Sequence, residues 1–369
     1  ASPFRVHRHR VPSRSSSRSQ PSSPCGVAIT QLRIDAQQRD IESFYVPPDP
    51  ITGSPGDLIR FEEMTDVDLD GGSVHRILYV SQRADGETAV SGGMVFIPDT
   101  PAPAQGRKVV AWAHGTLGMG PQCAPSRSMT PLNDMTGWIE QMMGLGWAVA
   151  ATDYTGLGTP GDEQYLVAQA EVSDVVNSVR ALQQFPGADA GDDYVVWGHS
   201  QGGHTSLWSG HLAQDIAPEL NLLGVAAAAP AAELGLILDA QWTGPVAWAI
   251  GPEAVIGWRS IEPDLPMEPL LTDRAAAIYP DIAEECIGAA ALDALARTSL
   301  GQAFFASNPL DSPPWGGSDQ RSDTSVDAGG YAGVHRPRNG GHGGARLAEC
   351  GAAGEVVCCR IGCVDAVDG

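Results

Sequence analysis

The sequence predicts an α/β protein with a mostly parallel sheet covered by helices on both faces. Three observations carry this. Between about residue 40 and residue 230, short apolar runs alternate with longer amphipathic stretches, the rhythm of strand–helix–strand units. His114, Asp153 and Ser200 each close one of the apolar runs, and ligands in parallel sheets bind beyond the carboxyl ends of strands. Finally, Gly198-His199-Ser200-Gln201-Gly202 joins the apolar run Tyr194-Val195-Val196-Trp197 to a stretch able to form a helix. In that setting G-x-S-x-G makes a turn so tight that small residues must flank the serine, and it lifts the hydroxyl clear of the sheet.

The elements follow in chain order. Residues 1–34 hold six arginines, many serines and no acid, without the apolar stretch of a signal peptide; they are expected to be a disordered tail. Segments 76–81 and 93–97 read as early strands, the second stopped by Pro98. Val109-Val110-Ala111-Trp112-Ala113 is a short buried strand ending at His114-Gly115-Thr116. Residues 136–145 read as a helix closed by Gly146, and 147–152 as a strand ending at Asp153-Tyr154-Thr155-Gly156. Residues 163–184 carry helical periodicity through Val167, Val172, Val176 and Leu182, with Pro186-Gly187 as the stop. After the glycine–serine turn come a helix over 201–214 and a buried strand over 222–229, ending at Pro230.

Residues 231–308 break this rhythm. Rich in alanine, leucine and proline, with Trp242, Trp248 and Trp258, they read as helices joined by proline loops, a cap or lid over the site. The core is then residues 35–230 together with 309–369. From residue 317 the text is atypical: 317–344 contain eight glycines and almost no apolar periodicity, where a parallel sheet should supply another strand. The glycine-, arginine- and cysteine-rich composition of this tail resembles translation in a shifted reading frame.

A chain of 369 residues with 43% hydrophobic content can build a sizeable core and an inserted subdomain. With 22 basic against 44 acidic residues the net charge is −22, a surface that repels phosphate backbones and argues against nucleic-acid partners. No run of 18 apolar residues exists, so no transmembrane segment is expected. Of the seven cysteines, Cys123 and Cys286 stand apart and could pair in an oxidising compartment, while Cys350, Cys358, Cys359 and Cys363 crowd the end at spacings that fit no zinc signature. No metal site is expected.

A serine raised on such a turn needs a base, an acid to orient the base, and donors for a tetrahedral oxyanion. One donor is the backbone N–H of the next residue, Gln201. The second is expected from the loop after an earlier strand, where Thr116 or Gly115 supplies the amide. His114 is expected to fix that loop, and His199 and His204 to be structural.

Several motifs together resemble the secretory lipases of the α/β-hydrolase superfamily, of the lipase A type. They are Phe44-Tyr45-Val46-Pro47-Pro48, Pro55-Gly56-Asp57-Leu58-Ile59-Arg60, His114-Gly115-Thr116, Cys123-Ala124-Pro125-Ser126 and Asp153-Tyr154-Thr155-Gly156-Leu157-Gly158. The glycine–serine segment from Gly198 to Gly203, Ala228-Ala229-Pro230 and Trp315-Gly316 complete the set. The resemblance, over about 44–316, implies an α/β-hydrolase fold, hydrolysis of acylglycerol-type carboxylic esters through an acyl-Ser200 intermediate, no cofactor, and secretion. It also implies a disulfide from Cys123 to Cys286 and contact with lipid interfaces. It places the triad acid near Asp323 or Asp327 and the histidine at His335 or His342; Asp327 and His342, the latter in a Gly-His-Gly setting, are the assignments adopted. Acyl transfer on the same scaffold, and an impaired hydrolase that binds lipid or a partner through the apolar cap, are the competing readings.

Overall fold

The structure is a computed structural model that describes residues 24–135, 137–312, 315, 350–353 and 356–360. The chain opens with helix α1 (Pro24–Tyr45), followed by strands β1 (Leu58–Glu63), β2 (Gly72–Gln82), β3 (Thr88–Pro98) and β4 (Arg107–Ala113). Helix α2 (Ile139–Gly144), β5 (Ala148–Thr152), α3 (Ala168–Gln184), β6 (Ala190–His199), α4 (Gln201–Ile216) and β7 (Asn221–Ala228) complete the alternation. Four helices follow without an intervening strand: α5 (Leu234–Gln241), α6 (Pro245–Ile261), α7 (Asp273–Ala283) and α8 (Ile287–Ser299). Near the end lie β8 (Cys350–Ala353) and β9 (Val356–Arg360).

One sheet runs in the order β1-β2-β3-β5-β4-β6-β7-β9-β8. Its centre, β5-β4-β6-β7, is parallel, and both wings are antiparallel. Successive residues of β4 point to opposite faces, as pleating requires. Val109, Ala111 and Ala113 join Val172, Val176 and Val179 of α3 in one core cluster. Val110 and Trp112 pack with Ile139 and Met143 of α2 in another. With helices on both faces, residues 109–113 of β4 and all of β5 are buried throughout rather than alternating. The fold is that of an α/β-hydrolase.

Four differences from the sequence reading have physical causes. Helix α1 begins at Pro24, so residues 24–34 are helical rather than a tail; residues 1–23 lie outside the described residues. The helix docks through Phe44 and Tyr45, which pack with Leu78 and Val90. The expected helix over 136–145 is the short α2, and the one over 163–184 starts only at Ala168, because Leu166 stands at φ 54°. The tail contributes β9, antiparallel to β7 with Ala226 opposite Cys358, where a strand–helix repeat would have added a parallel strand.

Candidate active site

Strand β6 delivers its last residues into a turn that only glycines allow. Ser200 sits at φ 56°, ψ −114° as the residue before α4, a strained backbone that costs roughly 1–3 kcal/mol unless its surroundings fix it. They do so with hydrogen bonds: Ser200 N–H donates to Ala228 O at 3.0 Å, and Ser200 O accepts from His204 N–H and Ala231 N–H, each at 3.0 Å. A Cβ on Gly198 would lie 2.2 Å from Gly202 O, and one on Gly202 would lie 1.8 Å from Ala113 O. The spacing of the glycines is therefore a packing requirement of β4 against the turn.

The loop leaving β4 passes beside this serine. A Cβ on Gly115 would stand 3.1 Å from His199 O and 3.6 Å from Ser200 Cβ. Buried His114 has Nδ1 2.7 Å from Gly115 O and Nε2 3.1 Å from Asp153 O, so its ring ties two strand ends together. Asp153, fully buried, accepts from Ser126 N–H at 3.0 Å and from the Ser126 hydroxyl; burial pushes its carboxyl up, against those bonds. Thr116 Oγ1 lies 2.7 Å from the Tyr165 hydroxyl. His199 is exposed. Among the described residues no side chain is hydrogen-bonded to the Ser200 hydroxyl.

Behind the serine lies a buried polar network that the sequence reading missed. Gln201 Nε2 donates to Glu163 Oε1 at 2.9 Å and to Glu171 Oε1 at 3.0 Å. Glu171 also accepts from Leu166 N–H at 2.9 Å and the Thr205 hydroxyl at 2.8 Å, and its Oε2 pairs with His204 Nδ1 at 2.9 Å. Burial alone would raise Glu171, but His204 and these hydrogen bonds hold it below the ordinary glutamate value. Glu163 goes the other way: burial first, with Glu171 and Asp174 nearby, pushes it up to about 8 despite the Gln201 bond. Glu253 of α6 is pushed well above the carboxylate range by burial and by Glu163, against a hydrogen bond from Gly118 N–H. Nothing in spacing marks these residues, because they converge from the loop before α3, α3 itself, α4 and α6.

The helices α5 to α8 stand over this end of the sheet, and α5 and α6, through Leu234, Val246, Ile250, Ala254 and Trp258 among others, line an apolar cavity of about 60 Å³ together with Tyr165 and Phe305. The helical layer is stitched to the loop after Thr116. Cys123 and Cys286 form a disulfide, Met119 N–H donates to Ala283 O at 2.7 Å, and Ile287 N–H donates to Leu117 O at 2.8 Å.

The structure thus brings the loop that carries Gly115 and Thr116 beside Ser200 and Gln201, and Cys123 to Cys286. Asp327 and His342, like Asp323 and His335, lie outside the described residues.

Residues 128–306 match the family model described as secretory lipase. Among curated proteins, Lipase A of Moesziomyces aphidis is 25% identical over 196 residues, covering 50% of this chain and 41% of that protein. A probable inactive lipase of Mycobacterium tuberculosis is 25% identical over 214 residues, covering 53% of this chain and 46% of the relative. The chain thus matches less than half the length of either. Among solved structures, the rice cell wall degrading esterase LipA of Xanthomonas oryzae superposes with a TM-score of 0.61 at 18% identity, covering 73% of this chain and 80% of that one.

Proposed function

From the chain's kinship with the secretory lipases over residues 128–306, we propose that it hydrolyses carboxylic esters, with Ser200 as the nucleophile. The observation that carries this is the strained turn holding Ser200 beside the Gly115–Thr116 loop. In this reading the Ser200 hydroxyl attacks the ester carbonyl while His342, oriented by Asp327, takes its proton. The Gln201 and Thr116 amides receive the oxyanion, the alcohol leaves with the proton returned by the histidine, and water releases the acid from acyl-Ser200. Residues 231–308 act as the cap, and the apolar cavity within it is the seat of the acyl chain. The disulfide suits an oxidising, extracellular setting. Among the described residues no helix is long and apolar enough to cross a membrane, and lipid substrate would be met at an interface.

A second reading has an observation of its own. One relative is a probable inactive lipase, and a hydrolase fold that binds lipid without turnover fits that likeness. A fluorophosphonate probe separates the two, together with nitrophenyl esters of increasing chain length and Ser200→Ala as control. Labelling and turnover that Ser200→Ala abolishes support the hydrolase; a folded wild type that neither labels nor turns over refutes it.

A further inference from the structure

We propose that residues 163–171 form a bracket that sets the distance between the two oxyanion donors, with Tyr165 and Glu171 as its positioning residues. This rests on the hydrolase reading above. The two amides come from separate parts of the chain, Thr116 after β4 and Gln201 at the start of α4. No hydrogen bond between their side chains holds them in register. What they share is a third segment. Tyr165 places its hydroxyl 2.7 Å from Thr116 Oγ1. Six residues on, Glu171 accepts from Gln201 Nε2 at 3.0 Å, and Glu163 takes the same amide at 2.9 Å.

The segment is built to be stiff. Leu166, between the two grips, is held at φ 54°, a conformation costly for a branched side chain. Its N–H is fixed by the Glu171 carboxylate at 2.9 Å, so the strained residue and the grip on Gln201 stabilise each other. The other Glu171 oxygen binds His204 Nδ1 and the Thr205 hydroxyl, each one helical turn past Gln201 or nearly so. One carboxylate thereby fixes both the rotation of α4 and the side chain of its first residue. On its outer side the bracket has no slack: a Cβ on Gly257 of α6 would lie 2.6 Å from Tyr165 N. Tyr165, Leu166, Glu171, Gln201, His204 and Thr205 are all buried, and Thr116 is half-buried.

Tyr165 also lines the apolar cavity. An acyl chain seated there would touch the residue that grips Thr116. Oxyanion stabilisation depends on donor placement to a fraction of an ångström, and a lost donor costs about 10²–10³ in turnover. A loosened donor should cost part of that, and the cost should fall on kcat, since the donors act on charge that develops only in the transition state.

The test uses the whole chain and the variants Tyr165→Phe and Glu171→Gln. With a nitrophenyl ester, Tyr165→Phe is expected to lower kcat about 3- to 10-fold and Glu171→Gln about 10- to 100-fold, with KM within twofold. Affinity for a trifluoromethyl ketone, which forms a tetrahedral adduct, should fall in parallel, while the matching methyl carbinol binds unchanged. Glu171→Gln removes a buried charge from His204 and could cost folding; Tyr165→Phe, which keeps the ring and deletes one oxygen, then decides alone. A wild type with full activity and a Tyr165→Phe variant unchanged in kcat, or changed only in KM, overturns the bracket and leaves the hydrolase reading intact. A wild type that neither labels nor turns over overturns the hydrolase reading and the bracket with it.

Discussion

Replacing Glu163 by glutamine isolates the cost of a buried proton. Glu163 is fully buried among Glu171, Asp174 and Gln201, and its carboxyl titrates at about 8 against 4.5 in the unfolded chain. Between those values the folded protein keeps a proton that the unfolded chain has released. Stability therefore falls as pH rises through this window, by about 1.4 kcal/mol per pH unit for one proton. Below pH 4.5 both states are protonated and above pH 8 both are ionised, so the loss is confined to the interval and sums to about 5 kcal/mol. Glutamine keeps the oxygen that accepts from Gln201 Nε2 and removes only the ionisation. Glu171, whose folded value is depressed, acts in the opposite sense, adding stability above its unfolded value that is lost as pH falls through the folded one; that contribution is common to both proteins and cancels. Guanidinium melts of wild type and Glu163→Gln at pH 4, 6 and 9 provide the assay. The variant's advantage should be near its minimum at pH 4, grow through pH 6 and level off above pH 8. A difference that does not change with pH, or one that favours the wild type as pH rises, would refute the reasoning.

Three further outcomes are expected. Gly202→Ala drives a methyl to 1.8 Å from Ala113 O and should abolish soluble expression or fluorophosphonate labelling, read by gel and probe. The Cys123→Ser/Cys286→Ser double variant opens a bridge spanning 163 residues, for which loop entropy sets a loss of up to about 5 kcal/mol; denaturant melts should show it, and reductant should reproduce it in the wild type only. Ala254→Phe fills the wall of the apolar cavity and should lower kcat/KM for long-chain nitrophenyl esters at least tenfold while sparing the acetate.

The central strands were legible because each is an apolar run closed by a turn signal, and β4, β5, β6 and β7 fall within a few residues of where the pattern puts them. The glycines around Ser200 were legible for a steric reason: the turn has room for nothing larger. Helix α1 was not, since its arginine-free docking end, Phe44 and Tyr45, lies behind a stretch whose composition suggests a tail. The early start expected for α3 failed because periodicity cannot see Leu166 at positive φ, held by a carboxylate five residues on. For the same reason Glu163, Glu171 and Glu253 escaped notice: a buried acid network is a property of packing between distant segments. The pairing of Cys123 with Cys286 came from family resemblance, and spacing alone left it open.

The indole rings give the molecule two separate optical signatures. Trp112 lies 5.2 Å from Trp138 and 5.9 Å from Trp197 on the sheet face covered by α2. In the helical layer Trp258 lies 6.2 Å from Trp315, whose Nε1 donates to Pro266 O at 2.7 Å. Rings this close couple their transitions, so each layer should contribute its own near-ultraviolet dichroic band. Unfolding of the helical layer around Trp315 would erase its band and leave the sheet's in place, which lets the loss of packing in each layer be followed separately in a single scan.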